Sequence, residues 1–216
     1  MNNLPDPFFL IIALSAMALV PFLAVMTTSF VKLAVVFGLL RNALGIQQIP
    51  PNMAIYGLAI ILSIYIMAPV GYSIHETLAD KEFTWENTEQ FAKSIEEGSK
   101  PFQEFLKKHT SQREIDFFLK NAAALWPEKY ASKLTADSFM VLIPAFTVSE
   151  LTSAFEIGFL LYLPFIVIDL IISNILLALG MMMVSPMTIS LPFKLLLFVL
   201  LDGWARLIHG LVLTYQ

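Results

Sequence analysis

Of 13 basic and 17 acidic side chains, all but nine fall between Glu76 and Asp137. The nine outside are Asp6, Lys32, Arg41, Glu150, Glu156, Asp169, Lys194, Asp202 and Arg206. This segregation divides the chain into a polar insert and flanks that water cannot solvate. The composition agrees, with 57% hydrophobic and 14% charged residues in 216, against about 45–50% and about 25% in soluble domains. An ordinary soluble domain is excluded, and a membrane or an apolar assembly remains. A net charge of -4 offers no basic patch to nucleic acid. The lack of cysteine removes disulfides, thiolate metal sites and cysteine nucleophiles together.

The flanks resolve into four apolar runs. Phe8 to Leu40 contains Lys32 as its sole charge; as a helix it would be about 50 Å long, beyond a hydrocarbon core of about 30 Å, and Pro21 is expected to break or kink it. Asn52 to Ile74 is uncharged and follows the stop signal Pro50-Pro51. Phe139 to Gly180 carries Pro144 and Pro164, which predict a short first piece and a main helix from about Phe155. The last run opens at Leu191-Pro192 and reaches Gln216. The fold class expected is all-α: long apolar helical hairpins, with four transmembrane-like segments and a charged helical insert between the second and third. Residues 1–75 form the first hairpin, 76–137 the insert, and 138–216 the second hairpin with a methionine-rich loop at 181–187. No basic n-region precedes the first run, so no secretory signal is expected. Arg41 in the short loop to Pro51 places that loop in the cytoplasm and the termini and insert outside.

Helical spacing marks the insert as folded. Ser111-Gln112-Arg113-Glu114 has the form of a capping box, followed by a stripe of Ile115, Phe118, Leu119, Ala122 and Trp126. Trp85, Phe91, Ala92 and Ile95 suggest an earlier helix ended by Gly98, and Phe102, Phe105 and Leu106 a short one after Pro101. An insert of this size makes a marginal core of its own, so its stripes are expected to pack on the apolar runs or on another subunit.

Enzymatic signatures are missing. His75, His109 and His209 never form a zinc-protease pair, and neither a nucleophile elbow nor a phosphate-binding loop occurs. No metal, cofactor or catalytic residue is expected. Charges in the apolar runs carry more information, since an unpaired ion costs at least about 2.5–3.5 kcal/mol at a bilayer centre. Asp202 and Arg206, four apart, can pair within one helix. Glu150, Asp169 and Lys194 have no opposite charge at helical spacing, so their partners lie on other helices or other chains. A proton relay through Glu150, Glu156 and Asp169, in a small transporter or channel, is the rival to this gluing role.

The run Gly180-Met181-Met182-Met183-Val184-Ser185-Pro186-Met187 places four of ten methionines together. Methionine often fills core gaps, but three in succession cannot share one helix face. Gly180 and Pro186 instead mark a loop, on which flexible thioethers form a deformable apolar collar. Several copies around a pore would close it by excluding water and ions.

Leu179 to Pro186, followed by Ile189-Ser190-Leu191-Pro192-Phe193-Lys194-Leu195 and Leu201-Asp202-Gly203-Trp204, closely resembles the SctR proteins of type III secretion systems (YscR and SpaP types) and their flagellar relative FliP. Leu142 to Phe146 with Ser149-Glu150-Leu151, Ile157-Gly158-Phe159, Pro164-Phe165 and Ile168-Asp169-Leu170 forms a second block. Thr28-Ser29-Phe30 with Lys32 and Leu39 to Gly45 forms a third. The resemblance covers nearly the whole chain and is loosest in the insert. It implies a bacterial inner-membrane subunit of a protein export gate, conducting unfolded substrate proteins. It also implies several copies, five being usual, assembled with the SctS and SctT subunits and adjoining SctU and SctV, much of the complex lying on the periplasmic side. The missing signal favours the virulence-type branch. Carried over by position, the family's methionine gasket falls on Met181, Met182 and Met183. Its contacts between copies fall on Glu150 and Lys194, with Asp169 a further polar position. Glu150 of one copy is therefore expected to meet Lys194 of the next.

Overall fold

An apolar stretch shielded from water must satisfy its backbone internally, and helix is the local way to do so. In the computed structural model, which describes residues 7–46, 48–79 and 88–216, the apolar runs are accordingly helical. Helices α1 (Pro7–Met26), α2 (Phe30–Leu44) and α3 (Asn52–Ala79) precede the insert; α4 (Thr88–Lys108), α5 (Gln112–Leu125) and α6 (Glu128–Ala131) lie within it; α7 (Phe139–Ala178), α8 (Pro186–Leu200) and α9 (Gly203–Leu213) follow. The described residues contain no strand, so the all-α expectation holds. Trp85 and Asp6 lie outside the described residues.

The breaks depart from those expected. Helix α1 runs through Pro21, and the bend of 57° falls instead at Thr27–Ser29. There the Thr27 and Thr28 hydroxyls donate to the carbonyls of Leu23 and Ala24, each at 2.7 Å, offering the backbone an alternative to the next helical bond. Ser29 then donates to Ser63 on α3 (3.1 Å), which donates back to Thr28 (3.2 Å), so the buried bend is satisfied by hydroxyls. Helix α7 passes both Pro144 and Pro164 as one element of 40 residues, about 60 Å at 1.5 Å per residue. It has no separate first piece. Helix α8 passes Pro192, and the last run breaks at Leu201–Asp202, where Asp202 is left-handed (φ 50°) and the axis turns by 60°. Any side chain at Gly203 would strike the Phe198 ring, which stacks edge-on against Trp204 with centroids 5.6 Å apart.

Among the described residues two helices, α3 and α7, are long and apolar enough to cross a membrane, or up to four segments if each bent pair counts as one span. One core unites α2 with α3, α7 and α9 through Leu33, Val36, Phe37, Leu40, Ala59, Ala154 and Leu211. At Gly158 the α2 side chain of Leu39 occupies the space a Cβ would need.

Among the described residues, the insert has no core of its own. Phe105, Leu106 and Ile115 pack with Val141, Leu142, Ala145 and Phe146 of α7, and with Ile66 and Val70 of α3. Helix α4 continues through Gly98 and Pro101, so the two short helices expected there are one. The capping box is not made: Ser111 caps nothing with its side chain, its N–H donates to Ser149 Oγ at 3.0 Å, and Glu114 pairs with Arg113. The stripe holds through Ala122, while Trp126 stands exposed beyond the helix end.

Candidate functional site: two buried ion pairs and an exposed methionine loop

Lys32 is the lone charge of α2's buried face, and it meets Glu150, the lone acid of α7's. Lys32 Nζ lies 2.7 Å from Glu150 Oε1, and the two side chains are only 5% and 2% exposed. The Tyr215 hydroxyl donates to the other carboxylate oxygen, and the ammonium sits 4.2 Å over the same tyrosine's ring. The carboxylate thus has a partner on each oxygen, the condition under which a buried pair is tolerated. The Tyr215 ring in turn contacts His109 and Phe105 at the end of α4, so the pair joins α2, α7, the C-terminal segment and the insert. A polar cavity of about 530 Å³ adjoins it, lined by Lys108, His109, Arg113, Ser149, Thr152 and Glu156 among others. Burial, then the charges of Lys108 and Lys32, lower the His109 pKa from 6.5 to about 4, so this imidazole is neutral at pH 7.

The second pair anchors the α7–α8 hairpin. Lys194 Nζ donates to Asp169 Oδ2 at 2.6 Å and to the Ala43 carbonyl at 3.1 Å. Ala43 lies in the last turn of α2, whose carbonyls lack intrahelical partners and where a cation is favoured. Ser190 completes the site by donating to Asp169 Oδ1 at 2.5 Å and to the Met187 carbonyl at 3.2 Å.

Between these helices hangs the methionine loop. Gly180 is left-handed (φ 73°); its N–H donates to Leu177 O and that of Met181 to Leu176 O. This is the paired bonding of a Schellman cap, and it turns the chain sharply out of α7. Ser185 and Pro186 then open α8 in the order that suits a helix start. The side chains between are exposed: Met181 44%, Met182 81%, Met183 102%, with Met187 at 56%. Three thioethers on the turn, and a fourth at Met187 in the first turn of α8, are thus left uncovered within the chain.

Both Glu150 and Lys194 therefore have partners inside the chain. Their burial, at 1% and 2% exposed, removes the pairing deficit from which a Glu150–Lys194 contact between copies was expected. Asp202 and Arg206 do not form the expected ion pair. Asp202 stands outside the helix at its N-cap, and only its backbone carbonyl receives the Arg206 N–H, at 3.0 Å. Of the suggested relay carboxylates, Glu150 and Glu156 line the same cavity, but Asp169 lies about 28 Å from Glu150 along α7, in its own pair. Lys32, Tyr215 and Ser190 were not singled out by sequence reasoning. For Lys32 the signal was available, since one cation in a long apolar run requires an acid in another. Tyr215 and Ser190 carry no such mark. Among the described residues no three His, Asp or Glu are placed to hold a metal ion.

An all-helical membrane protein, with apolar helices tied together by buried charges and a methionine turn left exposed, is the class these features define. Residues 13–211 match the FliP family, and the chain belongs to that family. It is 65% identical over 215 residues to "Yop proteins translocation protein R" of Yersinia pestis, covering 100% of this chain and 99% of that one. It is similar also to "Hypersensitivity response secretion protein HrcR" of Ralstonia nicotianae (53% over 211 residues, 96% of each). "Virulence protein YscR" of Salmonella typhimurium is 51% identical over 220 residues, covering 99% of this chain and 100% of that one.

Proposed function

We propose that this chain is a pore-forming core subunit of a type III protein export gate, passing unfolded proteins across the bacterial inner membrane. The observation that carries the reading is the exposed methionine turn Met181–Met183, fixed at its base by the Lys194–Asp169–Ser190 cluster. Relatives named for translocation and secretion support it. So does the length of α7, twice a hydrocarbon core, which calls for shielding by protein as well as lipid. Five copies, with SctS and SctT and beside SctU and SctV, would surround the pore, much of the assembly lying on the periplasmic side. In the closed gate the thioethers pack across the lumen and exclude water; a passing chain displaces them cheaply because no specific bond must break. Energy comes from elsewhere in the machine, and this subunit has no catalytic part. Replacing Met181, Met182 and Met183 together with alanine should raise ion leakage through the reconstituted complex. An unchanged leak, with the complex intact, would sink the gasket.

A further inference from the structure

Methionine occupies two kinds of position in this chain. At Met67, packed with the insert's core, and at Met187, whose Cγ lies 3.7 Å from where a Cβ on Gly45 would stand, the thioether fills space between helices. Met181, Met182 and Met183 are different: they are 44%, 81% and 102% exposed and belong to neither hydrophobic cluster. Their turn is held by the backbone. The left-handed Gly180 reverses the chain, the Met181 N–H donates to Leu176 O at 2.9 Å, and the Val184 N–H donates to Met181 O at 3.3 Å. The three side chains can therefore change their chemistry without disturbing what holds the turn.

With no cysteine in the chain, methionine sulfur is the group that a mild two-electron oxidant attacks first. A sulfur lone pair attacks one oxygen of a peroxide; the S–O bond forms as the O–O bond breaks, and sulfur loses two electrons. The proton of the transferred hydroxyl goes to the departing hydroxide, which leaves as water. The product is a polar sulfoxide, and a pair of reductases, one for each epimer, restores the thioether.

We propose that Met182 and Met183, with Met181 beside them, form a reversible oxidation site at which a peroxide makes the apolar closure of the gate wettable until the reductases restore it. This rests on the reading of the turn as a gasket, and adds how its closure is regulated. A collar packed across a lumen keeps a rim toward water, where a molecule as small as a peroxide meets sulfur. A hydrophobic constriction shuts by excluding water, so an acceptor oxygen set within it, without a donor, favours the wet state. Because these side chains have no place in either core, oxidation changes the closure and spares the fold. Met17, Met53 and Met140, exposed at 69%, 85% and 70% on helices α1, α3 and α7, provide the internal reference.

The test treats the reconstituted complex with hydrogen peroxide, records its ion leak, and reads oxygen addition at each methionine by peptide mass spectrometry. Sulfoxides at Met182 and Met183 are expected with a rise in leak of about tenfold or more, the scale set by burying a polar group without a hydrogen bond. Both reductases together should return the leak to its starting level, and helical circular dichroism should not change. Met181→Leu, Met182→Leu and Met183→Leu together should remove the rise, judged against that variant's own starting leak, whereas Met53→Leu with Met140→Leu should keep it. Met182 and Met183 left unoxidised while Met53 is oxidised would show thioethers sealed from solvent and overturn the proposal. Sulfoxides at both positions with no added leak overturn it as well; the gasket then stands if the alanine variant leaks, and falls too if that variant does not. A rise that survives the leucine substitutions, or that the reductases fail to reverse, assigns the leak to damage and also overturns the proposal.

Discussion

Replacing Lys32 with methionine should be among the most damaging single changes this fold can suffer. The substitution keeps the length and apolar stem of the side chain and removes its charge, leaving Glu150 (1% exposed) with only the Tyr215 hydroxyl as partner. Breaking a buried pair from one side costs about 3–5 kcal/mol, two to nearly four orders of magnitude in the folded ratio at about 1.4 kcal/mol each. Losing the ammonium over the Tyr215 ring adds about 2 kcal/mol at a desolvated site. Tyr215→Phe, which removes one bond to a charged group, should cost less, about 1.5–3 kcal/mol. The decisive comparison is Lys32→Met with Glu150→Leu: with both charges gone only the Tyr215 hydroxyl loses its partner, and stability should return to within about 1–3 kcal/mol of the parent. Equilibrium unfolding of the detergent-solubilised chain, followed by helical circular dichroism, reads all four proteins. A Lys32→Met chain as stable as the parent, or a double variant no better than the single, would refute the argument that this pair is a strut.

Further outcomes follow from the turns and from His109. Gly180→Val should cost about 1–2 kcal/mol, because φ 73° is left-handed, and should loosen the methionine loop, seen as faster amide exchange at Met181–Val184. Gly203→Ala should cost about 1–3 kcal/mol through overpacking against Phe198, read as a lowered melting temperature. His109, with its folded pKa lowered to about 4 from 6.5, binds fewer protons folded than unfolded between those values. Its contribution is complete above pH 6.5 and lost as pH falls toward 4, so His109→Gln should flatten that part of the stability profile.

How much of this was legible from the sequence depended on which interaction decides each feature. Segregated charge gave the apolar flanks and the insert, because desolvation acts on composition and needs no geometry. The methionine loop was legible too, since a glycine, three successive thioethers and a Ser-Pro start leave little else to build. Prolines misled. In water a proline inside a helix costs about 3 kcal/mol, which argued for breaks at Pro21, Pro144 and Pro164. In an apolar setting an unwound turn strands further backbone groups, so the helix continues and the breaks fall where other groups offer relief: the hydroxyls at Thr27–Ser29 and the left-handed Asp202 before Gly203. Pairing was half legible. Glu150 and Lys194 plainly needed partners on other helices, but choosing Lys32 and Asp169 required knowing that α7 lies against both α2 and α8. Tyr215 was invisible, since a tyrosine near a chain end has no sequence feature that assigns it to a carboxylate.

The central claim, that secreted chains pass the methionine turn, is tested most directly by photocrosslinking. A photoreactive residue is placed at Met182 in secreting cells that hold a stalled substrate, with Tyr130 of the insert as the control position. Crosslinks to substrate at 182 and none at 130 are the predicted result. Export that continues with no crosslink at 182 would contradict the account.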